Sequence, residues 1–361
     1  MAEAGNPKRS AAPLEGRSTA ELEELLNLPA LERFLADRLP AVTTRLRVDG
    51  QPMGGVSNVT VFVTRGADER WVVRRPPAGP LLPTAHDVLR EYRFLSALRG
   101  TAVPVAEPVL ACEDASIMGA SFYLMKRVDG VVVNIHVPPE VDTPLERRRM
   151  SEAAVDALAA LHAVDWTNLG LPGKPEGYLD RQLKRWTGQL EMTPTAERLR
   201  GLDDVTAWVK ANRPESGPAT IVHGDWGIHN MIFASTPPTS LLAITDWEMA
   251  TLGDPLADVG WMLRDWGIVP EKGIRNPAKD LTAREGFPPV EEMVARYEEK
   301  SHRSLSKLKF YAVFSMWKEV IITEGLYSGY LAGQTADPRV AAFEHETPET
   351  IDRILDLIVS G

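Results

Sequence analysis

A change of hydrophobic period near residue 129 constrains this fold more than any single residue does. Before it, "VTTRLRVDG", "SNVTVFVTRG" and "RWVVRRPP" alternate, are rich in β-branched residues and are bounded by Gly, Asp or Pro, which predicts three antiparallel strands. "HDVLREYRFLSALRG" then carries helical spacing and ends at Gly100, and "AEPVLACED" and "SFYLMKRVDG" predict two more strands. Residues 42–128 therefore read as a five-stranded sheet with one inserted helix. "TAELEELLNLPALERFLADRL" (19–39) precedes the sheet as helix interrupted at Pro29. From residue 145 the period becomes helical over 145–164, 178–191, 199–212, 255–267, 289–301, 305–333 and 348–359. Only the short strands "MIF" and "LLAITDW" interrupt it. Strands first and helices afterwards predict an α+β chain with segregated lobes. Residues 1–18 form a flexible start, 19–128 an N-terminal lobe with leading helices, and 129–361 a helical C-terminal lobe.

Composition narrows the partners. A formal net charge of −10 argues against nucleic acid, whose phosphates attract basic surfaces. No apolar run approaches the roughly 20 residues that span a bilayer, so no membrane is expected. Cys112 is the only cysteine, which excludes an intrachain disulfide and a Cys-based metal site. The first twenty residues lack the apolar core of a signal peptide, and a cytoplasmic location is expected. Sequence leaves the oligomeric state open.

"IVHGDWGIHNMIF" (221–233) gathers two histidines, an aspartate and an asparagine between two apolar runs. On a loop held by strands, Asp225 can accept a proton or orient a hydroxyl, and Asn230 offers an oxygen to a hard cation. Asp246 ends the apolar run "LLAIT" and makes, with Asn230, a minimal pair for Mg²⁺. In "GGVSN", Gly54 and Gly55 allow backbone amides to approach phosphate oxygens, with Ser57 and Asn58 following. "WVVRR" puts Arg74 or Arg75 on the next strand as a phosphate clamp, and Glu91 on the following helix can aim that arginine.

These pieces, in this order, resemble the aminoglycoside phosphotransferase family of protein-kinase-like fold. "HGDWGIHN" is similar to its His-Gly-Asp-x-x-x-x-Asn loop and "ITDWE" to its metal segment; "GGVSN", "VVRRPP", "REYRFLSAL", "FYLMKRVDG" and "GDPLADVG" extend the resemblance over about residues 30–335. "RRPPAGPLLPTAHDVLREYR" and "DWEMATLGDPLADVGWML" look most like the branch fused to acyl-CoA dehydrogenases, which is associated with phosphorylating hydroxyacyl-CoA esters. The resemblance implies a bilobal kinase-like fold that binds ATP and Mg²⁺ and phosphorylates a hydroxyl of a small molecule. It implies Asp225 as the catalytic residue and Asn230 and Asp246 as metal ligands. Gly54, Gly55, Ser57, Asn58, Arg74 and Glu91 would serve the nucleotide, with Met125, Lys126 and Val128 as an adenine-facing hinge. An arginine stands where many relatives have lysine, and Glu248 where protein kinases have glycine.

Plainer readings compete. His223 would brace the loop, and Asp254 and Asp258 would start a helix and support the loop from beneath. Trp261, Trp266, Trp317 and Tyr327 would be core, or would line an acyl pocket. A nucleotide-binding pseudokinase, or a metallohydrolase built on His223, His229, Asp225 and Asp246, are the alternative functions.

Overall fold

The computed structural model describes residues 16–39, 45–52, 58–77, 87–266, 281–335 and 337–360. The chain divides into two units, one of residues 1–99 and 105–128 and one of residues 100–104 and 129–361.

In the first unit, Ser18 opens α1 (Thr19–Leu26) with a capping box: its hydroxyl accepts from the Glu21 amide, and the Glu21 carboxylate accepts from the Ser18 amide. Asn27 turns into the left-handed region at φ 45°, and Pro29 falls in the first turn of α2 (Leu28–Ala36), where its missing N–H is no loss. The interruption read at Pro29 is thus a junction between two helices. Five strands follow: β1 (Leu46–Gly50), β2 (Val59–Arg65), β3 (Glu69–Arg75), β4 (Pro108–Cys112) and β5 (Phe122–Lys126). They form one antiparallel sheet in the order β1-β2-β3-β5-β4, with α3 (Val88–Leu98) lying in sequence between β3 and β4. Val59, Val61 and Val63 alternate inward from β2 and pack with Leu22, Leu26, Leu31 and Leu35 of the two leading helices.

The second unit is mainly helical: α4 (Pro144–His162), α5 (Tyr178–Glu191), α6 (Leu202–Ala211), α7 (Leu256–Arg264), α8 (Val290–Ser301), α9 (Leu308–Leu331) and α10 (Phe343–Val359). Its core sets Val313, Phe314, Trp317, Val320 and Ile321 of α9 against Trp186 of α5, Val205 of α6 and Ile351 of α10. Its described strands are β6 (Val131–Val132), β7 (Thr220–Val222), β8 (Met231–Phe233), β9 (Leu241–Ile244) and β10 (Thr251–Gly253), paired as β6-β8-β9 and β7-β10. Sequence showed β8, β9 and the apolar run of β7 that leads into the loop, but not β6 or β10. Helix α10 starts at Phe343, five residues before the expected 348, and keeps Pro348 inside it. Proline cannot donate to the Glu344 carbonyl four residues back; the Arg198 guanidinium donates to that oxygen instead, at 2.7 Å.

Candidate active site

Strand β7 delivers His223, Gly224 and Asp225 to a loop, and a single 3-10 turn, Ile228–Asn230, returns the chain to β8. The loop is fastened at its start from α7. Asp258, fully buried, accepts from the His223 amide at 2.7 Å and the Gly224 amide at 2.8 Å. Two orphan loop amides are satisfied by one carboxylate, the bracing expected of Asp258. Behind it, His162 of α4 lies 3.4 Å from Asp258 and 2.7 Å from the Tyr297 hydroxyl. Asp254 accepts from the Leu256 amide and from the Tyr311 hydroxyl, so it organises the start of α7. Gly224 must be glycine: its φ is +85°, and a Cβ there would sit 2.9 Å from that of Met249.

His223 uses both ring nitrogens on its own loop. Nδ1 accepts from the Asp225 amide at 3.3 Å, and Nε2 faces the Thr245 carbonyl at 3.0 Å, which assigns the proton to Nε2. Edge contacts to Trp226 and Trp247 complete its cage. A nitrogen that is already bonded cannot also ligate, and this removes His223 from a metallohydrolase ligand set.

Asp225 is half-buried, and both of its oxygens are engaged. Trp261 Nε1 donates to Oδ1 at 2.8 Å, and Asn230 Nδ2 donates to Oδ2 and to the Asp225 carbonyl at 2.9 Å each. Burial pushes the carboxyl upward, but the contact with His229 and the charges of His229 and Lys318 outweigh it and hold Asp225 far below the usual carboxylate range. His229, 3.8 Å from Oδ2, is opposed by burial yet raised above its ordinary value by Asp225.

With its amide nitrogen spent on Asp225, Asn230 keeps a side-chain carbonyl oxygen that could hold a cation. Thr245 donates to the Asn230 backbone carbonyl through its amide at 2.8 Å and its hydroxyl at 3.1 Å. The next residue, Asp246, takes a left-handed conformation at φ 64° at the head of the 3-10 turn Trp247–Met249. The backbone therefore ties the segments bearing Asn230 and Asp246 together. An amide oxygen and a carboxylate are the donors a hard divalent cation prefers.

In the first unit, Arg74 Nε lies 3.0 Å from Glu91 Oε2, and both are largely withdrawn from solvent. Arg75, on the opposite face of β3, donates to the Leu25, Met118 and Pro76 carbonyls. Burial lowers its pKa, and its role is to pin loops to the sheet. Of the two arginines, Arg74 is the one that Glu91 aims. Asn58 is buried at the start of β2; Gly54, Gly55 and Ser57 lie outside the described residues. Met125 pairs with Val72, and the amides of Lys126 and Arg127 are used on Glu107 and Arg70 carbonyls. Lys126 itself is exposed and bridges to Glu107 at 2.6 Å. Among the described residues the Val128 amide is the first of this segment with no hydrogen-bond partner.

A family model described as a phosphotransferase enzyme family (APH) matches residues 50–293. The chain belongs to this family. It is 31% identical to acyl-CoA dehydrogenase family member 11 of Rattus norvegicus over 330 residues, and 32% identical to family member 10 of Mus musculus over 325 residues. These matches cover 89% and 88% of this chain but only 42% and 30% of those proteins, so the chain spans less than half the length of either relative. An aminoglycoside-phosphotransferase-like chain of Ralstonia eutropha superposes with a TM-score of 0.76 at 30% identity, covering 91% of this chain and 98% of that one. An amicoumacin kinase solved with AMP-PNP and Ca²⁺ shares the fold at a TM-score of 0.60 and 13% identity, over 93% and 96% of the two chains.

This member of the APH phosphotransferase family has a kinase-like α+β fold, and two residues beside its Asp225 loop have contacts that the sequence did not show. Lys318 and Trp261 both touch the Asp225 loop, yet each sits inside an ordinary-looking helical pattern, "FYAVFSMWKEVI" or "DVGWMLRD". The aromatic set divides. Trp317 is fully buried and donates to Thr206, and Tyr327 lies under Arg198, so neither lines an acceptor pocket. Trp261 faces Asp225 instead.

Proposed function

We propose that this chain transfers the γ-phosphate of ATP, with a divalent cation bound by Asn230 and Asp246, to a hydroxyl of a small molecule. The observation that carries this reading is the Asp225–Asn230 pair, in which one amide nitrogen fixes the aspartate while leaving its own oxygen for the cation. Each carboxylate oxygen keeps a lone pair for the incoming hydroxyl. Asp225 is held so acidic that it acts by orienting the alcohol, and it takes up the proton late in a loose transition state. Mg²⁺, when bound, would neutralise charge on the β- and γ-phosphates. Arg74, aimed by Glu91, would add a planar fork for phosphate oxygens, and the Val128 amide, which has no partner among the described residues, would be the hinge donor for the adenine. Gly54, Gly55, Ser57 and Asn58 would serve the phosphates, as the sequence reading has them, while Met125 and Lys126 would serve the base.

For the acceptor, we favour a hydroxyacyl-CoA-like thioester over an aminoglycoside. The similarity to acyl-CoA dehydrogenase family members supports this. So does the chemistry beside Asp225, where Lys318 and Arg264 both lie against the Trp261 ring and would repel an acceptor rich in ammonium groups. The test is phosphate transfer from ATP to matched panels of hydroxyacyl thioesters and aminoglycosides. Asp225→Ala should lower turnover by about 10³-fold while nucleotide still binds, and Asp246→Ala should weaken metal-dependent nucleotide binding. Full activity in Asp225→Ala sinks the mechanism. Nucleotide binding without transfer to any alcohol, or to water, returns the reading to a regulatory binder.

A further inference from the structure

Lys318 of α9 is buried, yet no carboxylate lies in ion-pair contact with it among the described residues. Its Nζ donates to the Gly224 carbonyl at 2.8 Å, directly before Asp225. The same ammonium stands 4.0 Å from the ring centre of Trp261 and 5.6 Å from that of Trp186. Trp261 is held from elsewhere by the Arg264 guanidinium, 4.1 Å from its ring centre, and turns its N–H to Asp225 Oδ1. One cation therefore grips the loop backbone at Gly224 and steadies the indole that donates to the Asp225 carboxylate. Burying an ammonium is costly, and a carbonyl with two indole faces offsets that cost only partly. A residue serving packing alone would be met more cheaply by methionine.

We propose that Lys318 is a positioning residue for phosphoryl transfer, a protonated clamp that holds the Gly224–Asp225 backbone and Trp261 in the geometry in which Asp225 receives the acceptor hydroxyl. The proposal rests on the phosphotransferase reading of the same site. The groups that set the charge of Lys318 come from every element around it. Burial, together with Arg264 of α7 and Arg185 of α5, favours loss of the proton; Asp225 of the loop and Asp258 of α7 oppose it. The outcome is a pKa lowered from 10.5 to about 8. Glu319, the neighbouring acid on α9, is directed to Arg264 at 3.7 Å. The clamp thus opens as pH rises through about 8, when the ammonium becomes an amine.

The experiment measures phosphate release from MgATP, to water or to an alcohol, against pH in the wild type, Lys318→Arg and Lys318→Met. Amide exchange of residues 222–231 is followed in parallel, corrected for the intrinsic pH dependence of exchange. Lys318→Met should lose about tenfold or more in kcat below pH 8 with little change in KM for ATP, and its loop should exchange faster there, the difference from wild type closing as pH rises above 8. Lys318→Arg should recover kcat and carry the alkaline limb upward, because arginine keeps its proton. Wild-type kcat, alkaline limb and loop exchange in Lys318→Met overturn the clamp. Should Lys318→Met not fold, an alkaline limb in Lys318→Arg identical to that of the wild type overturns it equally. Absence of transfer in the wild type, with loop exchange still dependent on Lys318, refutes the phosphotransferase reading and leaves the clamp standing.

Discussion

At the scale of single residues, the site places an acid where it must stay charged and a base where charge is expensive. Asp225 accepts from Asn230 and Trp261 and lies in the field of His229 and Lys318, and all of them favour the anion. Replacing Trp261 with phenylalanine keeps a ring beside Lys318 and Arg264 but removes the donor to Oδ1. A hydrogen bond to a charged group is worth roughly 1.5–3 kcal/mol. Trp261→Phe should therefore lower kcat by about tenfold, while its unfolding midpoint shifts far less than that of a core truncation. Turnover and a urea titration of the same preparation check this. Lys318 gives a prediction of opposite sign for stability. Its folded pKa of about 8 lies below the 10.5 of the unfolded chain, so between those values the unfolded state holds the proton that the folded state has released. Stability from this group therefore rises as pH climbs from 8 to 10.5, by up to about 3 kcal/mol. The wild type should gain on Lys318→Met over that window, measured by urea unfolding at pH 7.5 and pH 10. Parallel curves at the two pH values contradict a buried, easily deprotonated lysine.

Among the elements, α7 and α9 do most to build the site, and they were legible to different degrees. "GDPLADVG" announced the start of α7 and the role of Asp258, because a short motif at fixed separation carries that information. Helix α9 was legible as a helix only, since it is apolar nearly all round and has no polar face to mark which residue turns toward the loop. The first three strands of the first unit were readable because they are β-branched and alternate, and β4 and β5 as short apolar runs bounded by polar residues, whereas β6 and β10 are only two and three residues long. The end of the chain was misread for another reason. Pro348 normally stops a helix, and only the distant Arg198 makes it tolerable here by supplying donors to the Phe343 and Glu344 carbonyls. The same guanidinium grips both oxygens of Glu324, which is fully buried on α9. Arg198→Met would strand that carboxylate and two helix carbonyls at once. Breaking a buried pair costs roughly 3–5 kcal/mol, so this variant should unfold at markedly lower urea than wild type. Arg198→Met together with Glu324→Leu should recover part of the loss, because an apolar pair leaves no buried charge behind. If the double variant is no more stable than the single one, the Arg198–Glu324 pair is not what joins these elements.

For the molecule as a whole, the uneven placement of two residue types makes the units separately observable. The only cysteine, Cys112, is buried in the core of the first unit, among Val61, Trp71 and Leu124. Eight of the nine tryptophans lie beyond residue 160, in the second. Thiol labelling therefore reports opening of the first core, and tryptophan fluorescence reports mainly the second. The two cores are built by different means. The first is a single sheet closed by α1 and α2, while the second is a larger helical assembly around α9. A smaller unit buries a smaller fraction of its surface and is left with less net stability. A chain with two cores also has no requirement to unfold in one step. In rising urea, Cys112 should become reactive at a lower concentration than the fluorescence midpoint, with the thiol curve also the shallower, since its slope follows the area exposed. Superimposable curves would mean that the two cores unfold as one cooperative body, and the division of the chain near residue 129 would then have no energetic meaning.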